Sequence, residues 1–75
     1  MIDQDRCHTI TCLVARQHQV TPLWILDRGR EYDRVAIRRQ AMRRMHKAGL
    51  TVSAIARYFA MDRKTVRHHC KLVTT

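Results

Sequence analysis

Residues 49–71 read GLTVSAIARYFAMDRKTVRHHCK, and this stretch decides the fold. Thr51 stands where a helix N-cap belongs, because its hydroxyl can accept from one of the free N–H groups that open a helix. Val52, Ile55, Ala56 and Phe59 follow at helical spacing and make one apolar face. Ala60-Met61 reads as a tight turn. Asp62 then caps a second helix, with its carboxylate at the positive end of the macrodipole. In that second helix, residues 63–71, Val66 and Cys70 lie four apart and turn inward. Arg63, Lys64, Arg67, His68 and Lys71 therefore fall largely outside. Two apolar faces one turn apart must pack on each other, which leaves the cationic face standing free. This is the pattern of a helix-turn-helix, whose second helix enters a DNA major groove. A plain pair of core helices with a solvated basic face is the alternative. The agreement of cap, apolar pattern, turn and basic outer face favours DNA.

Small residues matter as much as the charges. Ala56 lies where the two helices approach, and a larger side chain would force them apart. Ala60 takes the turn position where many such motifs carry glycine, for which a positive φ has no steric cost. The expectation is a turn that is either slightly strained or differently shaped.

Working outward, the chain has 75 residues and a formal net charge of +9. That length supports one domain, residues 1–75, and favours simple helix packing over an elaborate topology. Beyond Asp33 the only carboxylate is Asp62, whereas Arg and Lys continue to Lys71. A field of one sign opposes compaction unless an anion relieves it, and nucleic acid is the simplest such anion. No long apolar run exists to enter a membrane. The opening Met1-Ile2-Asp3-Gln4-Asp5 does not read as a signal peptide. Cys7, Cys12 and Cys70 are three, an odd number for a disulfide framework. The expected location is the reducing cytoplasm, in association with the nucleoid.

Toward the N-terminus, residues 6–18 read as a helix with Asp5 as cap. Ile10, Leu13 and Val14 form its apolar edge, with Cys7 and Ala15 as small fillers. Thr21-Pro22 is a cap followed by proline at the first helical position, where the missing N–H costs nothing. The short helix it opens carries Leu23, Trp24, Ile25 and Leu26, with Trp24 a core anchor having one wet edge. Residues 28–32 form a basic loop in which Gly29 suits the left-handed position. Arg28 and Arg30 are there either as solvated side chains or as an arm for a minor groove.

Asp33 is the expected cap of the longest helix, residues 34–48, which Gly49 ends. Ile37, Ala41, Met45 and Ala48 share one side, widened by Met42. Arg39, Arg43 and Lys47 make a basic stripe at i, i+4 and i+8, with Arg38 and Arg44 beside it. Like charges at that spacing repel, and no glutamate is interleaved. The stripe argues for phosphate contacts.

Metal and catalytic chemistry find little support. Cys7, His8 and Cys12 match no common closed zinc spacing, and the adjacent His68, His69 and Cys70 point about 100° apart on a helix. His68 reads as a phosphate or base contact and His69 as a residue at the packing seam. With only Gly29 and Gly49, no phosphate-cradling loop exists. Neither a metal, a cofactor nor an enzyme activity is expected.

The order of features resembles the C-terminal DNA-binding domain of the bacterial replication initiator DnaA, a Trp-repressor-like all-helical domain. Val14-Ala15, Val20 and Ile25-Leu26 are similar to that family's first two helices. Arg28-Gly29-Arg30 occupies its basic loop, and Arg39-Gln40-Ala41-Met42 resembles its arginine-glutamine pair. Thr51 to Ile55 and Phe59 match its entry to the helix-turn-helix. The run from Asp62 to Cys70 looks like its signature Asp-His-Thr-Thr-Val-x-His-Ala-Cys. The likeness covers residues 8–72, and the last motif is its most specific part.

The resemblance implies an all-α bundle of four to five helices with the helix-turn-helix at residues 51–71. It implies major-groove base contacts from Asp62, Arg63, Lys64 and Thr65, to which the exposed face adds Arg67. It also implies backbone contacts from Arg39, Gln40 and His68. Arg43, Lys47, Ser53 and Lys71 join these as cationic or hydroxyl groups on the same surfaces. Arg28 or Arg30 would enter the minor groove. Family His-Thr is Arg63-Lys64 here, so a different and guanine-richer site is expected. The initiator's ATPase module has no counterpart in the sequence.

The expected function is sequence-specific binding of double-stranded DNA by a small transcriptional or replication regulator of bacterial or phage type. The alternative is a protein-interaction factor that docks on, or competes with, host replication or transcription machinery. A homodimer or such a host protein would then be a further partner.

Overall fold

The computed structural model describes residues 2–27 and 31–70, with the Ile2 side chain left aside. Five helices follow one another: α1 (Ile2–Gln17), α2 (Pro22–Leu26), α3 (Tyr32–Lys47), α4 (Val52–Phe59) and α5 (Arg63–His69). No strand occurs among the described residues. The architecture is all-α. Helix α1 packs on α2, α3 and α4, and α3 also holds α2, α4 and α5. Helix α5 rests on α4 as well. The Cα radius of gyration, 11.4 Å, is close to the roughly 11 Å of a packed body of this length. Among the described residues no helix is long and apolar enough to cross a membrane.

Side-chain oxygens open three of the helices. Thr21 Oγ1 accepts from Trp24 N at 3.2 Å, Thr51 Oγ1 from Ala54 N at 3.1 Å, and Asp62 Oδ1 from Thr65 N at 2.7 Å. Each satisfies one orphan donor of a first turn. Helix α1 starts earlier than its sequence suggests, so Asp5 lies within the first turn beside Asp3 rather than at the cap. Both carboxylates favour the positive end of the helix. Asp33 is likewise inside the first turn of α3, and Glu31 holds the cap position without a side-chain cap bond. Glu31 Oε2 instead lies 2.9 Å from Arg34 Nε, a charge contact rather than an aligned hydrogen bond.

Three helices end in the same way. Gln19, Gly49 and Ala60 have φ of 57°, 94° and 56°. After each, an N–H reaches back five residues: Val20 to Ala15 O at 3.0 Å, Leu50 to Met45 O at 3.1 Å, and Met61 to Ala56 O at 2.9 Å. These are Schellman closures, in which an apolar residue beyond the cap packs on one inside the helix. The pairs Val20–Ala15, Leu50–Met45 and Met61–Ala56 supply those apolar partners, and all six residues belong to the core or pack against it. Arg6 adds a bond to the Ala48 carbonyl, which pins α1 to the end of α3.

Cys7, Val14, Ile25, Met42, Met45, Ile55 and Val66 are fully buried, and Ala41 with them. Thr11 is buried too, its hydroxyl donating to Cys7 O at 2.9 Å. Burial raises the pKa of the Cys7 thiol, with Asp3 adding to the shift. Two expected core positions lie outside: Leu13 is 50% exposed, and Ala48 is exposed at the C-cap of α3. From α4, Tyr58 shares a 2.9 Å hydrogen bond with His8 Nδ1 of α1 and meets Phe59 edge-on at 5.2 Å. Trp24 is half-buried, with the Arg34 guanidinium 4.7 Å from its ring centre.

Candidate nucleic-acid interface

Val66 orients α5. It is fully buried against α4 and the body of the bundle, and Cys70 at the C-cap is half-buried. Arg63, Lys64, Arg67 and His68 are consequently exposed, and Thr65 is half-buried. Among the described residues the ion pairs belong to Arg34, which holds Asp27 Oδ2 at 2.9 Å as well as Glu31. None involves α5. The helix ends at His69, two residues short of the expected boundary, and Lys71 lies outside the described residues.

Asp62 is exposed, and its carboxyl is held below the ordinary aspartate range. The Thr65 hydroxyl contributes most, followed by the Thr65 backbone N–H. Asp62 therefore stays charged at the start of α5 while one of its oxygens serves as the cap. Ser53 is exposed in the first turn of α4. Arg28, Arg30 and Gly29, the expected minor-groove arm, lie outside the described residues.

The basic stripe of α3 divides under packing. Lys47 and Arg44 are exposed, whereas Arg39 and Arg43 are half-buried. Arg43 donates through Nε to the His69 carbonyl at 3.3 Å, which ties α3 to the end of α5. Gln40 is exposed on a side of α3 that meets α1, where His18 donates through Nε2 to its Oε1 at 2.8 Å. Arg38, read from the sequence as part of the basic surface, is only 6% exposed. Its Nε donates to Ile25 O at 3.0 Å, and a terminal N–H reaches the Asp27 carbonyl. Burial, then Arg34, press its pKa below the usual arginine value, and Asp27 and Glu31 oppose the shift. A guanidinium remains charged under such pressure.

The sequence contains a signal for that burial. Residues 38, 41, 42 and 45 are spaced i, i+3, i+4 and i+7, so Arg38 opens the apolar stripe that Ala41, Met42 and Met45 continue. His69, expected at the packing seam, lies at the end of α5 against α3. It is half-buried, and its Nδ1 is buried with no hydrogen-bond partner among the described residues. Its pKa is lowered first by burial and then by Arg39, His68, Arg38 and Arg43.

Among the described residues no group of three His, Cys, Asp or Glu side chains converges as a metal site would require. Comparison with protein-family models, with curated proteins and with solved structures finds no match to this chain.

Proposed function

We propose that α4, the Ala60-Met61 turn and α5 act as a helix-turn-helix in a DnaA C-terminal-like domain that binds double-stranded DNA sequence-specifically. The observation that carries this reading is the exposed cationic face of α5, Arg63, Lys64, Arg67 and His68, turned outward by the burial of Val66. Arg63, Lys64 and Arg67, with Asp62 and Thr65, are assigned to base edges. Arginine and lysine donate to the N7 and O6 acceptors of guanine, so the preferred site is guanine-rich. Arg39, Arg43, Lys47, Ser53, His68 and Lys71 are assigned to the phosphates, and Arg28 or Arg30 to the minor groove. Gln40 keeps its assigned phosphate role only by exchanging its bond with His18. Biologically this describes a small regulator of transcription or replication, with no catalysis of its own.

Selection of bound sequences from a random duplex pool, followed by titration against salt, tests the proposal. Five or more phosphate contacts give a log–log slope steeper than about −4. A flat slope, or a selected pool no different from the starting one, removes the reading.

A second reading, docking on a protein of the replication or transcription machinery, draws on Leu23 and Tyr32, 78% and 86% exposed at α2 and the start of α3. It predicts a folded chain that does not distinguish a selected duplex from random sequence.

A further inference from the structure

Where α5 ends against α3, cationic side chains meet with no carboxylate side chain beside them among the described residues. Arg43 spends its Nε on the His69 carbonyl, one of the orphan acceptors at a helix C-terminus. His69 Nδ1 and Arg39 Nε are both buried, neither with a partner among the described residues. Buried polar atoms without partners are rare in folded proteins and call for a cause. The charges acting on His69 come from Arg38, Arg39 and Arg43 on α3 and from His68 on its own helix. Helix α4, which also packs on α5, has Arg57 as its charged residue, and that side chain is exposed. Every one of these groups is a base. A cluster of one sign opposes its own packing, and an anion is what would relieve it.

We propose that Arg39, Arg43 and His69 form a phosphate site at the α3–α5 seam, and that His69 takes up a proton from solvent as the anion seats. The inference rests on the DNA-binding reading for its natural ligand, a phosphodiester of the duplex backbone. The site itself is made of groups that any tetrahedral oxyanion would engage. His69 falls where the resembling family signature has alanine, so the seam histidine is a feature of this chain.

The coupling follows from the surroundings of the ring. With Nδ1 buried and unpartnered, the neutral ring is least costly with its proton on Nε2 and Nδ1 bare. Protonating it in the free protein would bury an N–H without an acceptor beside arginines. Burial and the arginines accordingly keep the ring neutral at pH 7. An oxyanion among the same groups reverses the balance, because an opposite charge close by favours the charged form. Anion and proton therefore bind together, and affinity rises as pH falls. Uptake of one proton changes affinity by at most about tenfold per pH unit.

The test is a histidine-ring NMR titration of the full chain at constant ionic strength, in chloride, in sulfate, and with a selected duplex. His69→Gln identifies the His69 resonance by its loss; backbone-linked assignment serves if that variant fails to fold. In chloride His69 titrates below the ordinary histidine range, and sulfate raises its pKa. A rise with duplex as well assigns the site to the DNA backbone; a rise with sulfate alone assigns it to free oxyanions. A His69 that neither anion moves overturns the site. Failure of the duplex to bind at all overturns the DNA reading, while the sulfate titration still decides the seam. Duplex affinity of the wild-type chain should increase between about pH 7.5 and about pH 6 by several-fold more than that of His69→Gln. Equal pH dependence in the two would overturn the coupling.

Discussion

Arg38 Nε donates to the carbonyl of Ile25 at 3.0 Å, and the same guanidinium reaches the carbonyl of Asp27. Those carbonyls belong to the end of α2, where the last turn leaves acceptors without intrahelical partners. One cation of α3 thus closes α2 from the far side of the chain. Charge-assisted bonds of this kind contribute about 1.5–3 kcal/mol each, and removing the donor takes that bond from the buried Ile25 carbonyl. Arg38→Ala should lower unfolding free energy by about 2–3 kcal/mol, and Arg38→Met, which keeps the apolar stem, by less. Urea denaturation measures both. An unchanged midpoint for Arg38→Ala would return this residue to the exposed basic set.

Ala60 and Gln19 hold left-handed backbone at Schellman caps, a position that suits glycine. The left-handed region costs an L-residue about 1–2 kcal/mol, part of which is offset because glycine loses more chain entropy on folding. Ala60→Gly should therefore stabilise by about 0.5–1 kcal/mol. Gly49→Ala should do the reverse. An added Cβ at Gly49 meets nothing within 4 Å, so only its φ of 94° opposes the change. Thermal melts of the two variants should move in opposite directions; parallel shifts would contradict the capping account.

Arg43 and Lys47 are one turn apart and equivalent in the sequence, yet among the described residues Arg43 is tied to another helix and Lys47 is exposed. Arg43→Ala should cost about 1 kcal/mol of stability and also weaken binding to every duplex. Lys47→Ala should weaken binding with the melting curve unchanged. Lys64→Ala should instead relax base preference, by about 1–3 kcal/mol at one position. Stability and duplex affinity measured on the same three variants separate these roles. Identical profiles for Arg43 and Lys47 would refute the division of the stripe.

Among the described residues, His69 and Asp62 both contribute to the acid side of the stability profile, and their signs agree. The folded pKa of His69 lies below the unfolded value of about 6.5. The unfolded chain thus binds the proton first, and stability falls as pH drops below about 6.5 toward the folded pKa. Asp62 has a folded pKa below its unfolded value. Its contribution is complete above that value, about 3.9, and is lost as pH falls through the folded pKa. Melting temperature against pH should decline in two stages. His69→Gln should remove the upper stage, and Asp62→Asn, which keeps a capping oxygen without the charge, should flatten the lower. A profile left intact by both substitutions would show that other groups carry the acid response.

The features legible in the sequence were those made within a few residues. The caps at Thr21, Thr51 and Asp62 each bond a residue three positions on, and the turn at Ala60 closes on carbonyls no more than five positions back. The apolar face of α4 and the inward turn of Val66 were legible for a similar reason, since helical periodicity alone puts those residues on one arc. Boundaries were read less well. Asp5 and Asp33 look like caps, but a carboxylate is equally favourable in the first turn, and α1 and α3 begin before them. Leu13 belongs to the apolar set of α1 by type, yet among the described residues it stays half exposed.

Local periodicity and capping residues are enough to make the chain helical, to start three of its helices, and to leave a basic outer face on residues 63–68. Which of the remaining cations stay on the surface is settled by helix packing. Arg38 hands its guanidinium to the carbonyls that end α2, and Arg43 fastens α3 to α5, whereas the seam position of His69 follows from helical periodicity. The physical reason lies in the side chains: a long cation carries an apolar stem and a head that can be satisfied by backbone from another helix. Its charge is written in the sequence, but its exposure depends on which carbonyls the fold brings within reach.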